Sequence, residues 1–438
     1  MPRFPEPFAT ACLEEAVTIG TRLVALAAWK ADACTWEVVS SAPAPEGGAR
    51  SSREWAGPTL YQGTAGIALF LSELYAVTQD AALRRTARGA LHFACGRLHE
   101  LHEPAFGLHA GRVGIAHALA RYAAATGDAW AADEARHVLA PLFGRESSDR
   151  GLDVIAGAAG AIPVLLQLAA PLELPAAREC AVALGTHLLR TANRWPEGWA
   201  WTGTSIGNAR DLTGFAHGAS GCAAALLELW ACTGDPAFRH AAEQGFAYEA
   251  HHYDPTCGNW PDFRCLEWAD AFRSPSRLEA LRAALRAGAP APRYRRSAML
   301  AWCHGAPGIG LTRLRAHALL GTRRYADEAR AAVDVTRADL RALEEGSRRG
   351  RVNHSLCHGV LGNCELVVAA ADYLDAPEWL ADVERWVRAA LEAHGGPERR
   401  WLSGTPEMWP DPSLLVGEAG VGHFLLRVAC ADVPSVLL

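Results

Sequence analysis

The hydrophobic pattern of this chain repeats along its length. A short glycine turn, G-x-x-G, precedes an apolar run of helical period at seven places. The first glycines of these turns are Gly63, Gly111, Gly157, Gly218, Gly305, Gly359 and Gly417. The runs that follow, such as IALFLSEL and IAHALARY, carry few charges, which is typical of helices buried on several sides. Self-similarity at this spacing indicates a repeat architecture.

A second, amphipathic segment follows the apolar run in most repeats. Polar turns such as Thr78-Gln79-Asp80 and Thr126-Gly127-Asp128 separate the two segments. Stretches such as AWAADEARHVLAPLF place charged residues on one face, so each repeat predicts one inner and one outer helix. Because the inner helices have few charges to expose, we expect an all-α fold closed into an α/α toroid. This would be a double ring of seven inner and seven outer helices.

The repeats span residues 60–430, and a single domain over residues 1–438 is expected. Residues 1–58 are predicted to form an N-terminal helix and a long loop, since residues 30–58 are rich in Pro, Ser and Gly. A second departure from the repeat is an insertion near residues 251–300, which includes HHYDPTCGNWPDFRCLEW and APAPRYRR. Loops of this length are often functional. Alternation of β-branched residues is scarce, so no large sheet is expected.

Composition narrows the classes of function. The 438 residues include 42 Lys and Arg against 48 Asp and Glu, a net charge of −6 without a long basic block. A nucleic-acid partner is therefore not expected. No apolar run is long enough to predict a membrane span. The first residues lack the apolar core of a signal peptide, which favours a cytoplasmic location where the 12 cysteines would be reduced.

Histidine precedes three glycine turns at equivalent positions, and in two of them cysteine precedes the histidine. The motifs are Cys303-His304-Gly305, Cys357-His358-Gly359 and Ala216-His217-Gly218. In a closed ring all inner helices begin at one rim, so these side chains would face one space. Thiolates and imidazoles are ligands that suit Zn²⁺. Both cysteines with one histidine, either His304 or His358, would leave the fourth position open, as in catalytic zinc sites. The alternative is that the cysteines are small buried residues at crowded helix starts.

These motifs resemble those of the lanthipeptide cyclase (LanC-like) family. The matching stretches are LYQGTAGIALFL, GLHAGRVGIAHAL, DVIAGAAGAI, GFAHGASG, AWCHGAPGIGL, SLCHGVLGN and LVGEAGVGHFLLR, from about residue 60 to residue 430. The resemblance implies an α/α toroid with one Zn²⁺ held by Cys303, Cys357 and His358. It also implies a catalytic histidine at His217 and an acidic partner at Asp153.

Two further residues are expected beside the substrate. Trp302 matches an aromatic residue next to the metal site of the family. His304 stands where some members have a tyrosine, and Met299 stands where some members have a basic residue, three positions before Trp302. We retain Trp302 and His304 as candidate substrate-binding residues.

The reaction implied by the resemblance is addition of a peptide cysteine thiol to dehydroalanine or dehydrobutyrine. It forms the thioether ring of lanthionine or methyllanthionine, and it implies a dehydrated precursor peptide and a dehydratase as partners. His217 is suited to protonate the enolate because an imidazole ordinarily titrates at about pH 6.5. Asp153 would orient or charge His217, or relay the proton of the thiol. Read without the resemblance, Asp153 could cap a helix and His217 could bind a carbonyl.

Two other functions compete with the cyclase. A LanC-like zinc protein could bind glutathione or another partner without cyclising a peptide, and it would keep the same metal ligands. An α/α-toroid glycosidase would need two carboxylates about a sugar cleft, for which Asp153 and Glu418 are the candidates at the rim. The glycosidase hypothesis leaves the paired C-H-G motifs without a purpose.

Overall fold

A computed structural model describes residues 3–43, 49–101, 106–144, 151–202, 210–264, 275–287, 298–348 and 352–437. The APAPRYRR stretch of the anticipated insertion, at residues 289–296, lies outside the described residues, as do the last four residues of HHYDPTCGNWPDFRCLEW. Among the described residues, no helix has the length and apolarity needed to cross a membrane.

Seven helices begin directly after the first glycine of a G-x-x-G turn, as the repeat predicts. These inner helices are α2 (Thr64–Thr78), α4 (Arg112–Thr126), α6 (Ala158–Ala169), α8 (Ala219–Thr233), α11 (Ala306–Leu320), α13 (Val360–Tyr373) and α15 (Glu418–Ala429). In each of them the glycine is the N-cap residue and no side chain caps the helix. Most residues of their first turns are buried.

Glycine is required in these turns for steric reasons, as the fifth repeat shows. Gly305 has a φ of +97°, a conformation that other residues rarely adopt, and a Cβ there would lie 1.7 Å from the carbonyl oxygen of Met299. A Cβ at Gly308 would lie 2.0 Å from the carbonyl oxygen of Trp302. The helix start therefore packs directly on the backbone of its own preceding loop, which fixes the position of that loop.

The outer helices pack against the inner ones. Those that follow an inner helix in sequence are α3 (Ala81–Gly96), α5 (Ala129–Leu139), α7 (Pro175–Thr191), α9 (Pro236–His252), α12 (Arg323–Arg348) and α14 (Leu380–His394). Asp80, Asp128 and Asp235 cap α3, α5 and α9 by accepting a hydrogen bond from the second residue after each. An N-cap of this kind contributes about 1 kcal/mol to helix stability. An additional helix, α10 (Pro275–Arg286), belongs to the insertion.

The N-terminal helix completes the set of outer helices. Helix α1 (Glu6–Leu26) packs on α15, the last inner helix. Nη1 of Arg22 and Oε1 of Glu418 form a buried ion pair between them at 2.9 Å. Helices α11 and α12 are joined by an ion pair between Arg313 and Glu328 at 2.6 Å. Within the described residues, each of the seven inner helices therefore has an outer partner, and the partner of α15 comes from the opposite end of the chain.

Two antiparallel strand pairs lie within residues 28–43 and 49–55, so the prediction of a long loop over residues 30–58 was wrong for these described residues. The strands of the structure are β1 (Ala28–Lys30), β2 (Ala33–Thr35), β3 (Glu37–Pro43), β4 (Ala49–Trp55), β5 (Asn193–Trp195) and β6 (Gly198–Ala200). They pair antiparallel as β1–β2, β3–β4 and β5–β6, with Val38 opposite Glu54 in the second hairpin. Trp36, Val38 and Val39 are buried, and this burial anchors a stretch whose composition is that of a loop. Two-stranded sheets agree with the expectation of no large sheet.

The chain comprises two compact units. The first comprises Met1–Glu103, Leu108–Leu142 and Thr336–Leu438, and the second comprises Pro104–Gly107 and Phe143–Val335. Helices α1 to α5 and α13 to α15 belong to the first unit, and α6 to α11 belong to the second.

Candidate metal centre

Backbone hydrogen bonds connect the loops before the inner helices. The bonds of the first unit join residues that lie two positions before the first glycine of their turns. Cys357 N–H donates to the carbonyl of Leu415 at 2.9 Å, Leu415 N–H to that of Tyr61 at 3.0 Å, and Tyr61 N–H to that of His109 at 2.8 Å. These residues therefore occupy equivalent places in their repeats, and each is hydrogen-bonded to its counterpart in a neighbouring repeat.

The second unit contains the same kind of connection. Val154 N–H donates to the carbonyl of Ala216, and Ala216 N–H donates to the carbonyl of Cys303, both at 3.0 Å. Ala216 and Cys303 again lie two positions before their glycines, and Val154 lies next to Asp153. The backbone therefore fixes the starting points of the side chains of Asp153, His217 and Cys303.

Cys303, Cys357 and His358 form a candidate metal-binding cluster. One ligand atom from each residue lies within 4.8 Å of the others. Cys303 and Cys357 are only 8% and 4% exposed. Two sulfurs and one imidazole nitrogen are a donor set that suits Zn²⁺ and leaves one tetrahedral position open. His304, the other histidine that the sequence left open as a ligand, is not part of this cluster.

The ring of His358 is oriented by a backbone carbonyl. Its Nε2 lies 2.7 Å from the carbonyl oxygen of Gly404. Because a carbonyl only accepts hydrogen bonds, Nε2 carries the proton and Nδ1 keeps its lone pair for a metal. Gly404 is itself fixed, since its N–H donates to the carbonyl of Val416 at 2.8 Å. The imidazole is thus in the tautomer that a metal ligand requires, and the residues present fit a zinc ion.

Tyr61 also contacts the cluster, and sequence reasoning missed it. Its hydroxyl donates a hydrogen bond to Sγ of Cys357 at 2.9 Å. Tyr61 occupies in the first repeat the position that Cys303 and Cys357 occupy in the fifth and sixth. Comparing all seven copies by position, rather than searching for Cys and His, would have found it.

His304 is buried beside the catalytic candidates. It is 2% exposed, and neither ring nitrogen has a hydrogen-bond partner among the described residues. Its ring stacks on that of His217, with 5.8 Å between the centroids. Burial lowers the pKa of His304 to about 4, so the ring is neutral at pH 7. Buried polar atoms are normally paired, so His304 has two ring nitrogens available for a hydrogen bond.

Asp153 and His217 form a hydrogen-bonded pair. Oδ2 of Asp153 accepts from Nδ1 of His217 at 2.7 Å, and Oδ1 accepts from the N–H of Ala156 at 2.9 Å. The N-cap of α6 is Gly157, so Asp153 closes the turn before the helix and does not cap the helix itself. Asp153 is buried, whereas the side chain of His217 is 26% exposed. The arrangement leaves Nε2 of His217 as the ring nitrogen for chemistry.

Trp302 and Met299, the two remaining residues compared with the family, lie in different surroundings. Trp302 is fully buried and packs on Phe215, with ring centroids 5.4 Å apart. Sδ of Met299 accepts a hydrogen bond from Nη2 of Arg264 at 3.4 Å, and the same guanidinium pairs with Asp262 at 2.7 Å. A cation therefore lies beside the position where the sequence has methionine instead of a basic residue.

Comparison with known proteins identifies the family. The model of the lanthionine synthetase C-like proteins matches residues 54–438. The chain belongs to this family. The LanC-like membership expected from the C-H-G motifs is thus confirmed, over almost the whole length of the chain. None of the curated proteins that were compared matches the sequence.

Solved structures support the fold of this LanC-like protein. Nisin cyclase aligns with a TM-score of 0.60 at 17% identity, over 87% of this chain and 90% of that chain. This similarity shows the fold, and the predicted all-α class, an α/α toroid, is confirmed. A family 76 glycoside hydrolase from a bovine Bacteroides thetaiotaomicron strain gives a TM-score of 0.49 at 10% identity, over 96% of this chain and 78% of that chain. A TM-score at that level carries no argument about function.

Proposed function

We propose that this LanC-like protein is a zinc-dependent lanthipeptide cyclase. It would add cysteine thiols of a dehydrated precursor peptide to dehydroalanine or dehydrobutyrine and so form lanthionine or methyllanthionine rings. The observation that carries the proposal is the cluster of Cys303, Cys357 and His358, with ligand atoms within 4.8 Å of one another. Membership of the family and the likeness to nisin cyclase agree with it.

The three cluster residues would hold the metal through two sulfurs and Nδ1 of His358. When bound there, Zn²⁺ would lower the pKa of a coordinating peptide thiol and hold its thiolate at the open position. The chain contributes the orientation of the ligands, through the Gly404 carbonyl on His358. Burial of Cys303 and Cys357 keeps both sulfurs away from bulk water.

His217 would supply the proton that completes the addition. The thiol loses its proton, a bond forms between its sulfur and the β-carbon, and the α-carbon takes up one proton, so the reaction is balanced. Because Nδ1–H donates to Asp153, Nε2 is the nitrogen that would gain and release a proton, and it holds one when the ring is positively charged. The carboxylate of Asp153 fixes the ring and stabilises its positive charge. Trp302 and His304 remain proposed substrate-binding residues. Both are buried, and the side chain of His217 is more exposed, so His217 would contact the peptide first.

The glycosidase hypothesis finds no support in the carboxylates. Glu418 is buried, and its Oε1 is bonded to Nη1 of Arg22 at 2.9 Å. Burial raises the pKa of Glu418, and Arg22 opposes this rise. Asp153 uses both oxygens, one for His217 and one for the Ala156 N–H. Neither carboxylate is arranged as the acid or base of a sugar cleft.

The experiment that tests the proposal is incubation of the zinc-loaded protein with a dehydrated, cysteine-containing peptide. Ring closure leaves the peptide mass unchanged, so it is measured as loss of the thiol that a maleimide can alkylate. We expect the thiol to disappear, and we expect a zinc chelator or Cys303→Ala to prevent this. Cys232→Ala is the matched control because Cys232 is exposed and outside the cluster. A thiol consumed no faster than without protein would contradict the cyclase.

The same assay distinguishes the cyclase from the second candidate function, a LanC-like zinc protein that binds glutathione. A zinc protein that binds glutathione would retain metal and bind the tripeptide while leaving the dehydrated peptide open. As part of the proposal, we assign one cyclase domain to residues 1–438, a cytoplasmic location and a dehydratase as the partner that prepares the substrate. No nucleic acid is included among the proposed partners.

A further inference from the structure

We propose that Tyr61 is a positioning residue of the metal centre. Its hydroxyl would hold Sγ of Cys357 in place and tune how strongly that sulfur donates electrons to the metal. This inference rests on the proposed function, because it takes Cys357 to be a ligand. It assigns a role to a residue outside the predicted site.

The backbone of Tyr61 is held on both sides by neighbouring repeats. Its N–H donates to the carbonyl of His109 at 2.8 Å, and its own carbonyl accepts from Leu415 N–H at 3.0 Å. Leu415 in turn accepts from Cys357 N–H at 2.9 Å. Tyr61 and Cys357 are therefore separated by a single repeat in this series of bonds, and their starting points are fixed relative to each other.

The side chain of Tyr61 is fixed as well. Its ring meets that of His109 edge to face, with centroids 6.3 Å apart and an interplanar angle of 89°. The intervening residue, Leu415, is fully buried and apolar. The long phenol reaches the sulfur of Cys357, where the oxygen lies 2.9 Å from Sγ. The hydrogen bond thus joins a held ring to a sulfur that is almost completely buried.

The chemistry of this contact defines the role. A thiolate that accepts a hydrogen bond shares electron density with the donor, so it donates less to a metal. Residues outside the ligand shell that orient a ligand change metal affinity about 10- to 100-fold when mutated. A phenol O–H directed at one ligand sulfur therefore sets both the orientation and the electron donation of Cys357.

Cobalt substitution measures this effect without using enzyme activity. Tyr61→Phe keeps the ring beside His109 and removes only the hydroxyl. We expect the sulfur-to-cobalt charge-transfer band of Tyr61→Phe to move to lower energy, since the sulfur regains electron density. We also expect the cobalt and zinc affinities, measured by chelator competition, to fall about 10-fold, because losing the orienting hydrogen bond outweighs the gain in electron donation by the sulfur. Tyr373→Phe is the matched control, since Tyr373 is exposed, and it should leave the band and affinity unchanged.

A second variant should shift the sulfur-to-cobalt band in the opposite direction. Replacing Tyr61 by 3-fluorotyrosine keeps the fold and makes the hydroxyl a stronger hydrogen-bond donor, so the band should move to higher energy. Wild-type band position and affinity in Tyr61→Phe would overturn the inference, as would an unchanged band in the fluorotyrosine protein. A wild-type protein that binds neither metal would overturn both this inference and the proposed function. A wild-type protein that binds cobalt but closes no ring would overturn the cyclase alone, while the Tyr61 spectra still decide this inference.

Discussion

Oδ2 of Asp153 lies 2.7 Å from Nδ1 of His217. The carboxylate is buried, and the imidazole is partly open to solvent. A buried acceptor on one ring nitrogen fixes the tautomer and leaves the other nitrogen for the substrate. The pair therefore has the geometry of an oriented acid–base group, in the same unit as Cys303.

Loss of the imidazole should stop ring closure but not metal binding. We expect His217→Ala to lower the rate of thiol loss from a dehydrated peptide at least about 10²-fold, because the variant lacks the proposed proton donor. Zinc content should stay at the wild-type level, since His217 is outside the metal cluster. His137→Ala, at an exposed position, serves as the control. Normal ring formation in His217→Ala would refute the role of His217.

Loss of the carboxylate charge should act through His217. In Asp153→Asn the amide can bond Nδ1 but cannot stabilise a positive ring, so we expect about a 10²-fold lower maximal rate. Peptide KM and zinc affinity should change little, because Asp153 contacts His217 and the Ala156 N–H. Steady-state kinetics with metal analysis separate these quantities. Equal loss of zinc and activity would mean that Asp153 supports the fold of the site instead.

A methyl group at position 404 should disturb the metal ligand. The Cβ of Gly404→Ala would lie 2.7 Å from Nε2 of His358 and 2.8 Å from Oγ of Ser355. The imidazole must then move off the carbonyl that orients it, and we expect zinc affinity to fall about 10-fold. Gly96→Ala is the control, since its Cβ would meet nothing within 4 Å. Chelator competition with both variants checks this, and equal affinities would contradict the orienting role.

Acid should destabilise the protein through buried histidines. Burial, with smaller effects from Arg427 and Arg121, lowers the pKa of His423 to about 3 from an ordinary 6.5. The unfolded chain then binds more protons between these two values, so the contribution is complete above about pH 6.5 and is lost as the pH falls towards 3. At pH 4.5 the loss is on the order of 2 to 3 kcal/mol.

Urea unfolding of the metal-free protein at pH 7 and pH 4.5 tests this. His423→Met removes the titrating group, so the difference between the two free energies of unfolding should shrink by that amount. His137→Met, at an exposed position, should keep the wild-type difference. An undiminished difference in His423→Met would show that His423 is not responsible.

The repeated inner helices of this fold could be predicted from the sequence alone. The G-x-x-G turns predicted the seven inner helices because a glycine is needed wherever a helix start packs on backbone, as at Gly308. The packing of α1 on α15 could not be predicted from the repeat, because Glu6–Leu26 contains no repeat motif that relates it to the last inner helix. The strand pairs within residues 28–43 and 49–55 were missed because their strands are stabilised by a few buried side chains and not by regular alternation.

The candidate site also contains residues that the sequence predicted and residues that it did not. Cys303 and Cys357 were found because cysteine and histidine recur in a motif, and His358 was preferred to His304 through the family resemblance. Ligand atoms of the three residues lie within 4.8 Å of one another. Gly404 could not be found, because its contribution is a carbonyl in a loop outside the repeats. Tyr61 has the equivalent position but a different residue type, so only positional comparison reveals it.

X-ray absorption at the zinc edge, with metal analysis of the purified protein, tests the metal centre most directly. We predict one zinc per chain with two sulfur ligands at about 2.3 Å and lighter nitrogen or oxygen ligands at about 2.0 to 2.1 Å. Cys303→Ala should lose one sulfur from the spectrum or lose the metal. A protein that takes up no zinc after reconstitution, or zinc without sulfur ligands, would contradict the account.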